Sequence, residues 1–143
     1  GQLAGALRNP RFWLPADKYA RSRLNSVAQI VAALSSHPDP EVRWQAIDVI
    51  GDSDDGWAAD VLRRGFTDEE SYVRQRSFLA FARRRSVDMA LIDAVLRDES
   101  PHVRRVAWEL ALKTNDATVL ETVRRRMTQD SSSVVRDAVQ VVT

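Results

Sequence analysis

The chain is predicted to be all-α, a solenoid of stacked helical pairs, and three observations predict it. The dipeptide Val-Arg recurs at Val42-Arg43, Val73-Arg74, Val103-Arg104 and Val135-Arg136, with spacings of 31, 30 and 32 residues. A fixed period of this length is the mark of one supersecondary unit stacked on copies of itself. Around each anchor apolar residues return with the period of a helix, and no stretch alternates with period two over a useful length, so no sheet is expected.

Taken in order, the opening residues 1–19 read as an N-terminal cap, in which Phe12 and Trp13 of Pro10-Arg11-Phe12-Trp13-Leu14-Pro15 cover the open end of the core. Four helical pairs follow, at approximately residues 20–52, 53–84, 85–114 and 115–143, all within a single domain, 1–143. The first helix of each pair is an amphipathic run: Ala16 to Leu34, Trp57 to Arg64, Val87 to Arg97 and Ala117 to Met127. Gly51, Ser86 and Asn115-Asp116 supply turns between helices. Each second helix opens on a start signal. Asp68, Asp98 and Asp130 lie five residues before their Val, whereas the first repeat has His37 there and Asp39 closer in. Asp39-Pro40 and Ser100-Pro101 place a capping residue before a proline whose missing N–H costs nothing at the first helical position.

At about 100° per residue from the Val, offsets 0, 4, 7, 8 and 11 fall on one stripe. It holds Val42, Ala46, Val49 and Ile50, then Val73, Ser77, Ala80 and Phe81, then Val103, Ala107, Leu110 and Ala111, and is expected to be core. Offsets 2, 3, 6 and 10 form a second, mixed face: Trp44, Gln45, Asp48 and Asp52; Gln75, Arg76, Leu79 and Arg83; Arg105, Val106, Glu109 and Lys113.

The string from Leu96 to Ala107, Leu-Arg-Asp-Glu-Ser-Pro-His-Val-Arg-Arg-Val-Ala, resembles a HEAT repeat of the short bacterial kind also found in phycobilisome lyases, and the resemblance covers roughly residues 20 to 143. It implies a right-handed α-α superhelix of the HEAT/armadillo-like type, with the second helices lining a concave face. It also implies an internal ladder in which the Asp and Arg of successive repeats pair. The first repeat departs from the pattern in lacking its Asp, and the fourth ends at Thr143, eight residues past Val135, so its last helix is short or cut.

Composition excludes several classes of function. There is no cysteine, which removes disulfides and thiolate metal sites and makes a reducing, cytoplasmic setting the simplest. No apolar run reaches the length of a membrane span. Gly1 in place of Met reads as a chain taken from a longer protein, and the near absence of Lys beside abundant Arg points to a GC-rich bacterial source. The net charge is only +1, without the global basic field of many nucleic-acid binders. Its distribution is uneven: residues 37 to 70 carry 3 basic and 10 acidic residues between two basic flanks.

No Gly-rich phosphate loop, nucleophile elbow or His-Glu-x-x-His occurs, so no catalytic, cofactor or metal site is expected. His37 and His102 lie at helix starts and read as turn or capping residues. The runs Arg83-Arg84-Arg85 and Arg124-Arg125-Arg126 fall at helix ends, where the last carbonyls favour positive charge. Trp57 reads as core or outer-face packing and Trp108 as an edge between repeats.

Trp44, on the mixed face, fits the aromatic anchor of a binding surface. The expected function is therefore a monomeric interaction module that holds a protein or peptide on Trp44, Gln75, Arg76, Leu79, Arg83, Arg105, Glu109 and Lys113. Two alternatives remain: a nucleic-acid-binding domain, by analogy with HEAT-like DNA-alkylation-repair glycosylases, and an accessory or regulatory domain of a larger enzyme.

Overall fold

In the computed structural model the described residues are 27–140, and among them every regular element is an α-helix. The expected cap at 1–19 and the beginning of the first helix lie outside them. Residues 27–34 are helical (α1), followed by α2 (Pro40–Ile50), α3 (Gly56–Gly65), α4 (Ser71–Arg84), α5 (Met89–Leu96), α6 (Pro101–Arg104), α7 (Val106–Thr114), α8 (Ala117–Thr128) and α9 (Ser133–Gln140). The contacts divide the chain into two compact units, one up to Phe81 and one from Ala82 onward.

Helix starts follow the local chemistry. Asp39 caps α2 by accepting from Glu41 N–H, with Pro40 in the first turn. Asp88 caps α5 through Leu91 N–H, and Asp116 caps α8 through Thr118 and Val119 N–H. Each cap satisfies donors that the first turn leaves without an intrahelical acceptor. Ser100 stands at the cap position of α6, but its hydroxyl makes no cap bond. Asp98 takes over locally by accepting from Ser100 N–H at 2.9 Å.

The expected turn at Asn115 is a left-handed residue, φ 50°, a conformation that Asn tolerates better than most side chains. Gly51, in contrast, ends α2 with right-handed φ and ψ, so nothing in the backbone there requires glycine. The second helix of the third repeat is interrupted at Arg105, which separates α6 from α7 while keeping right-handed dihedrals.

In the first unit α2 packs on α3. Close approach of α3 to α4 depends on Gly65: a Cβ there would collide with Ser77 Oγ and stand 2.8 Å from Ser77 Cβ and 2.9 Å from Ile47 Cδ1. Ser77 is the small residue at offset 4, and its hydroxyl donates to Val73 C=O at 2.7 Å, so its polarity is satisfied inside the core. Beside this contact Phe66 stacks on Phe78, with centroids 4.2 Å apart and planes at 14°. In the second unit α5 packs on α6 and α7, α7 on α8, and α8 on α9, which also meets α6. The four anchor valines are all buried, as is the expected core stripe except for Val49, which is partly exposed.

The Asp–Arg ladder is present within each unit. Arg43 donates from Nε and Nη2 to both carboxylate oxygens of Asp68, each at 3.0 Å, and from Nη1 to the His37 and Pro38 carbonyls, each at 2.9 Å. Arg104 does the same with Asp130, at 2.9 and 3.0 Å, and with the Asp98 and Glu99 carbonyls. Arg74 and Arg136 make the equivalent bonds to the Asp68 and Asp130 carbonyls. One guanidinium thus clamps the loop before its own helix and fixes the loop of the next repeat. The bidentate fork and the remaining carbonyls use donors that burial would otherwise leave unpaired. The Asp68 hydrogen bond holds Arg43 above the usual guanidinium range, and the Arg104 hydrogen bond holds Asp130 below the usual carboxylate range despite burial.

Candidate docking surface

Burial along the second helices redraws the mixed face. Offset 3 is not open: Gln45 is 7% exposed and Val106 only 1%. The reason is angular. Offset 3 lies at about 300°, only about 40° from the core position at offset 7. Offset 5 is buried too, as Ile47, Phe78 and Trp108, at about 140°. The buried arc of a second helix is therefore wide, and offsets 2, 6 and 10 together with offset −1, at about 260°, form its open side, with Leu112 at offset 9 exposed beside it.

Those positions are Glu41, Trp44, Asp48 and Asp52; Tyr72, Gln75, Leu79 and Arg83; and His102, Arg105, Glu109 and Lys113, all exposed or partly exposed. Of the eight expected surface residues, seven lie on this arc, and Arg76 stands at its margin. In the first unit are Trp44, Gln75, Arg76 and Leu79; in the second are Arg83, Arg105, Glu109 and Lys113, where Lys113 Nζ donates to Ala82 C=O at 3.1 Å.

One cluster on the arc is well defined. Trp44 of α2 meets Tyr72 of α4 edge to face, with centroids 5.5 Å apart and planes at 88°. The Arg76 guanidinium lies 5.2 Å from the Trp44 ring centre and 5.8 Å from that of Tyr72, and pairs with Asp48 across the two helices. Trp44 Nε1 donates to Glu41 Oε2 at 3.1 Å, and Gln45 Nε2 reaches the same oxygen at 3.4 Å. The indole N–H is thus satisfied and the ring held in one orientation. Tyr72 remains 47% exposed, a large aromatic surface for a residue with no core role.

Sequence reasoning missed Tyr72 and Glu41 because the angular count began at the Val and ran forward only. Counting one residue backward places both on the open arc.

The other singled-out side chains have local partners. Trp57 is partly buried, donates to Asp55 at 3.2 Å, and with Ala28, Gln29, Ala32, Asp60, Val61 and Arg64 lines a groove of about 500 Å³ beside α1 and α3. Trp108 is buried, with the Arg124 guanidinium of the next repeat over its ring at 5.3 Å. Arg125 pairs with Glu121, and Arg126 pairs with Asp93. Arg83 and Arg84 occupy the last turn of α4, and Arg125 and Arg126 that of α8, where the helix dipole favours them. His37 serves its turn by accepting Asp39 N–H on Nδ1 at 3.0 Å, the bond that Asp68, Asp98 and Asp130 make in later repeats. Among the described residues no group of His, Cys, Asp and Glu is placed to hold a metal ion, and no helix is long and apolar enough to cross a membrane.

Paired helices in register, with an Arg–Asp ladder inside and a variable face on the second helices, define a helical-repeat protein. Residues 27–93 match the HEAT-repeat family, and this part of the chain is built of HEAT repeats. No curated protein matches the chain significantly. HEAT repeats commonly mediate protein interactions and generally act as non-catalytic scaffolds.

Proposed function

We propose that the chain is a monomeric, cytoplasmic protein-interaction module of one domain, and that it holds a segment of a protein partner on the open arc of its second helices. The observation that carries this reading is the pair Trp44 and Tyr72. Two aromatics from successive second helices meet on a face the core does not use, and one of them is largely exposed. Aromatics are the commonest anchors of binding energy, and rings already fixed by neighbours lose little entropy when a partner covers them. Gln75 and Leu79 extend the surface along α4 in the first unit. In the second unit the same arc carries the charged residues Arg83, Arg105, Glu109 and Lys113. Arg76 serves as a margin residue that braces both rings.

The test is recovery of partners from lysate with the parent chain and with Trp44→Ala/Tyr72→Ala. The double variant keeps its helical content and loses the partner by about 2 kcal/mol or more. Equal recovery by a folded double variant would move the site elsewhere.

A further inference from the structure

Resting on the second-helix face as the docking surface, we propose that the Trp44–Tyr72 corner takes a basic peptide segment, with an arginine or lysine of the partner against the rings. Three observations lead there. Residues 27–81 carry ten carboxylates and five arginines, so this stretch is strongly acidic in a chain of net charge +1. Of those arginines, Arg43 is held by Asp68, Arg63 by Asp60 and Arg76 by Asp48, while Arg74 donates to the Asp68 and Glu69 carbonyls. The charge of these four is directed inward or cancelled where it stands, and the fifth, Arg64, is exposed on α3, away from the second-helix arc.

The carboxylates at the corner are exposed. Glu41 lies one turn before Trp44, and Glu70 lies two residues before Tyr72 at the start of α4, whereas Glu69 faces Arg43 Nη2 at 3.8 Å. The corner also contains a built example of the chemistry proposed. Arg76 sits against both rings with a carboxylate on its guanidinium. A ring face attracts a cation by its quadrupole, and the neighbouring carboxylates add to that attraction while repelling a phosphate backbone.

The experiment uses the full chain and a fluorescein-labelled peptide of alternating arginine and alanine, with a glutamate–alanine peptide and a single-stranded oligodeoxythymidine as the other probes. Anisotropy measures affinity, and the indole N–H signals of the four tryptophans report the site. The arginine peptide binds, shifts the Trp44 indole signal, and loses about tenfold in affinity in Tyr72→Ala, consistent with loss of one cation–ring contact. Glu70→Gln and Glu41→Gln weaken it further, and the glutamate peptide does not bind. Tyr72→Ala alters an exposed side chain, so its fold is checked by helical content and the result stays interpretable if Trp44→Ala unfolds. The proposal is overturned if the arginine peptide binds Tyr72→Ala as well as the parent, shifts only the other indoles, or is matched by either acidic probe. Should Trp44→Ala/Tyr72→Ala lose its lysate partner while the arginine peptide fails to bind the parent, the basic-partner inference falls and the docking face stands.

Discussion

Arg104 and Asp130 face each other across 26 residues of sequence with two parallel hydrogen bonds, Nε to Oδ2 at 2.9 Å and Nη2 to Oδ1 at 3.0 Å. The same Asp130 also accepts Ser132 N–H at 2.9 Å, so one carboxylate joins two repeats and shapes the loop before α9. Removing it leaves a largely buried guanidinium without its anion. Asp130→Ala is therefore expected to destabilise the fold by about 1–3 kcal/mol, read as a lower thermal midpoint. A midpoint within error of the parent would make the ladder incidental to stability.

The same pair sets a pH dependence. Asp130 is held below its ordinary value, mainly by the Arg104 hydrogen bond, so at moderately acid pH the unfolded chain binds the proton more readily than the folded one. The stabilisation is full above the unfolded carboxylate value of about 3.9 and is lost as pH falls through the lower folded value. On acid titration Asp130→Asn should start less stable than the parent and lose less on acidification. Parallel acid-unfolding curves would mean that this carboxylate does not sense folding.

Gly65 is predicted to be intolerant of the smallest side chain. Its Cβ position is already taken by Ser77 and approached by Ile47, and packed cores have little room to shift. Gly65→Ala should cost about 1–3 kcal/mol in denaturant unfolding, although alanine favours helix and would stabilise an open site. A more stable Gly65→Ala would show that α3 and α4 part easily.

The ladder was legible in the sequence because its geometry fixes residue identity. Only Arg spans two carbonyls and a carboxylate with one planar fork, so Arg43, Arg74, Arg104 and Arg136 recur at the period of the repeat, with Asp68, Asp98 and Asp130 beside them. His37 was legible as an exception, and it makes the same turn bond through a ring nitrogen.

The docking face was only partly legible. Offset 3 looks polar in two repeats, yet Gln45 and Val106 are buried, because the neighbouring elements cover more of a second helix than the apolar stripe marks. The Asp48–Arg76 pair joins residues 28 apart and could not be read from either helix alone.

Asp116 provides a separate local check. It accepts from Thr118 and Val119 N–H at the start of α8. Asp116→Ala should cost about 1 kcal/mol, with α8 exchanging its first amides faster in hydrogen exchange. Unchanged exchange there would indicate that other groups or water cap this helix as well.

The central claim is that partners bind the second helices, and site-directed photocrosslinking tests it most directly. Benzoylphenylalanine placed at Gln75, on the open arc of α4, should crosslink the partner recovered from lysate, whereas the same group at Asp60, exposed on α3, should not. Crosslinking from position 60 and not from position 75 would place the partner on the first helices and contradict the account.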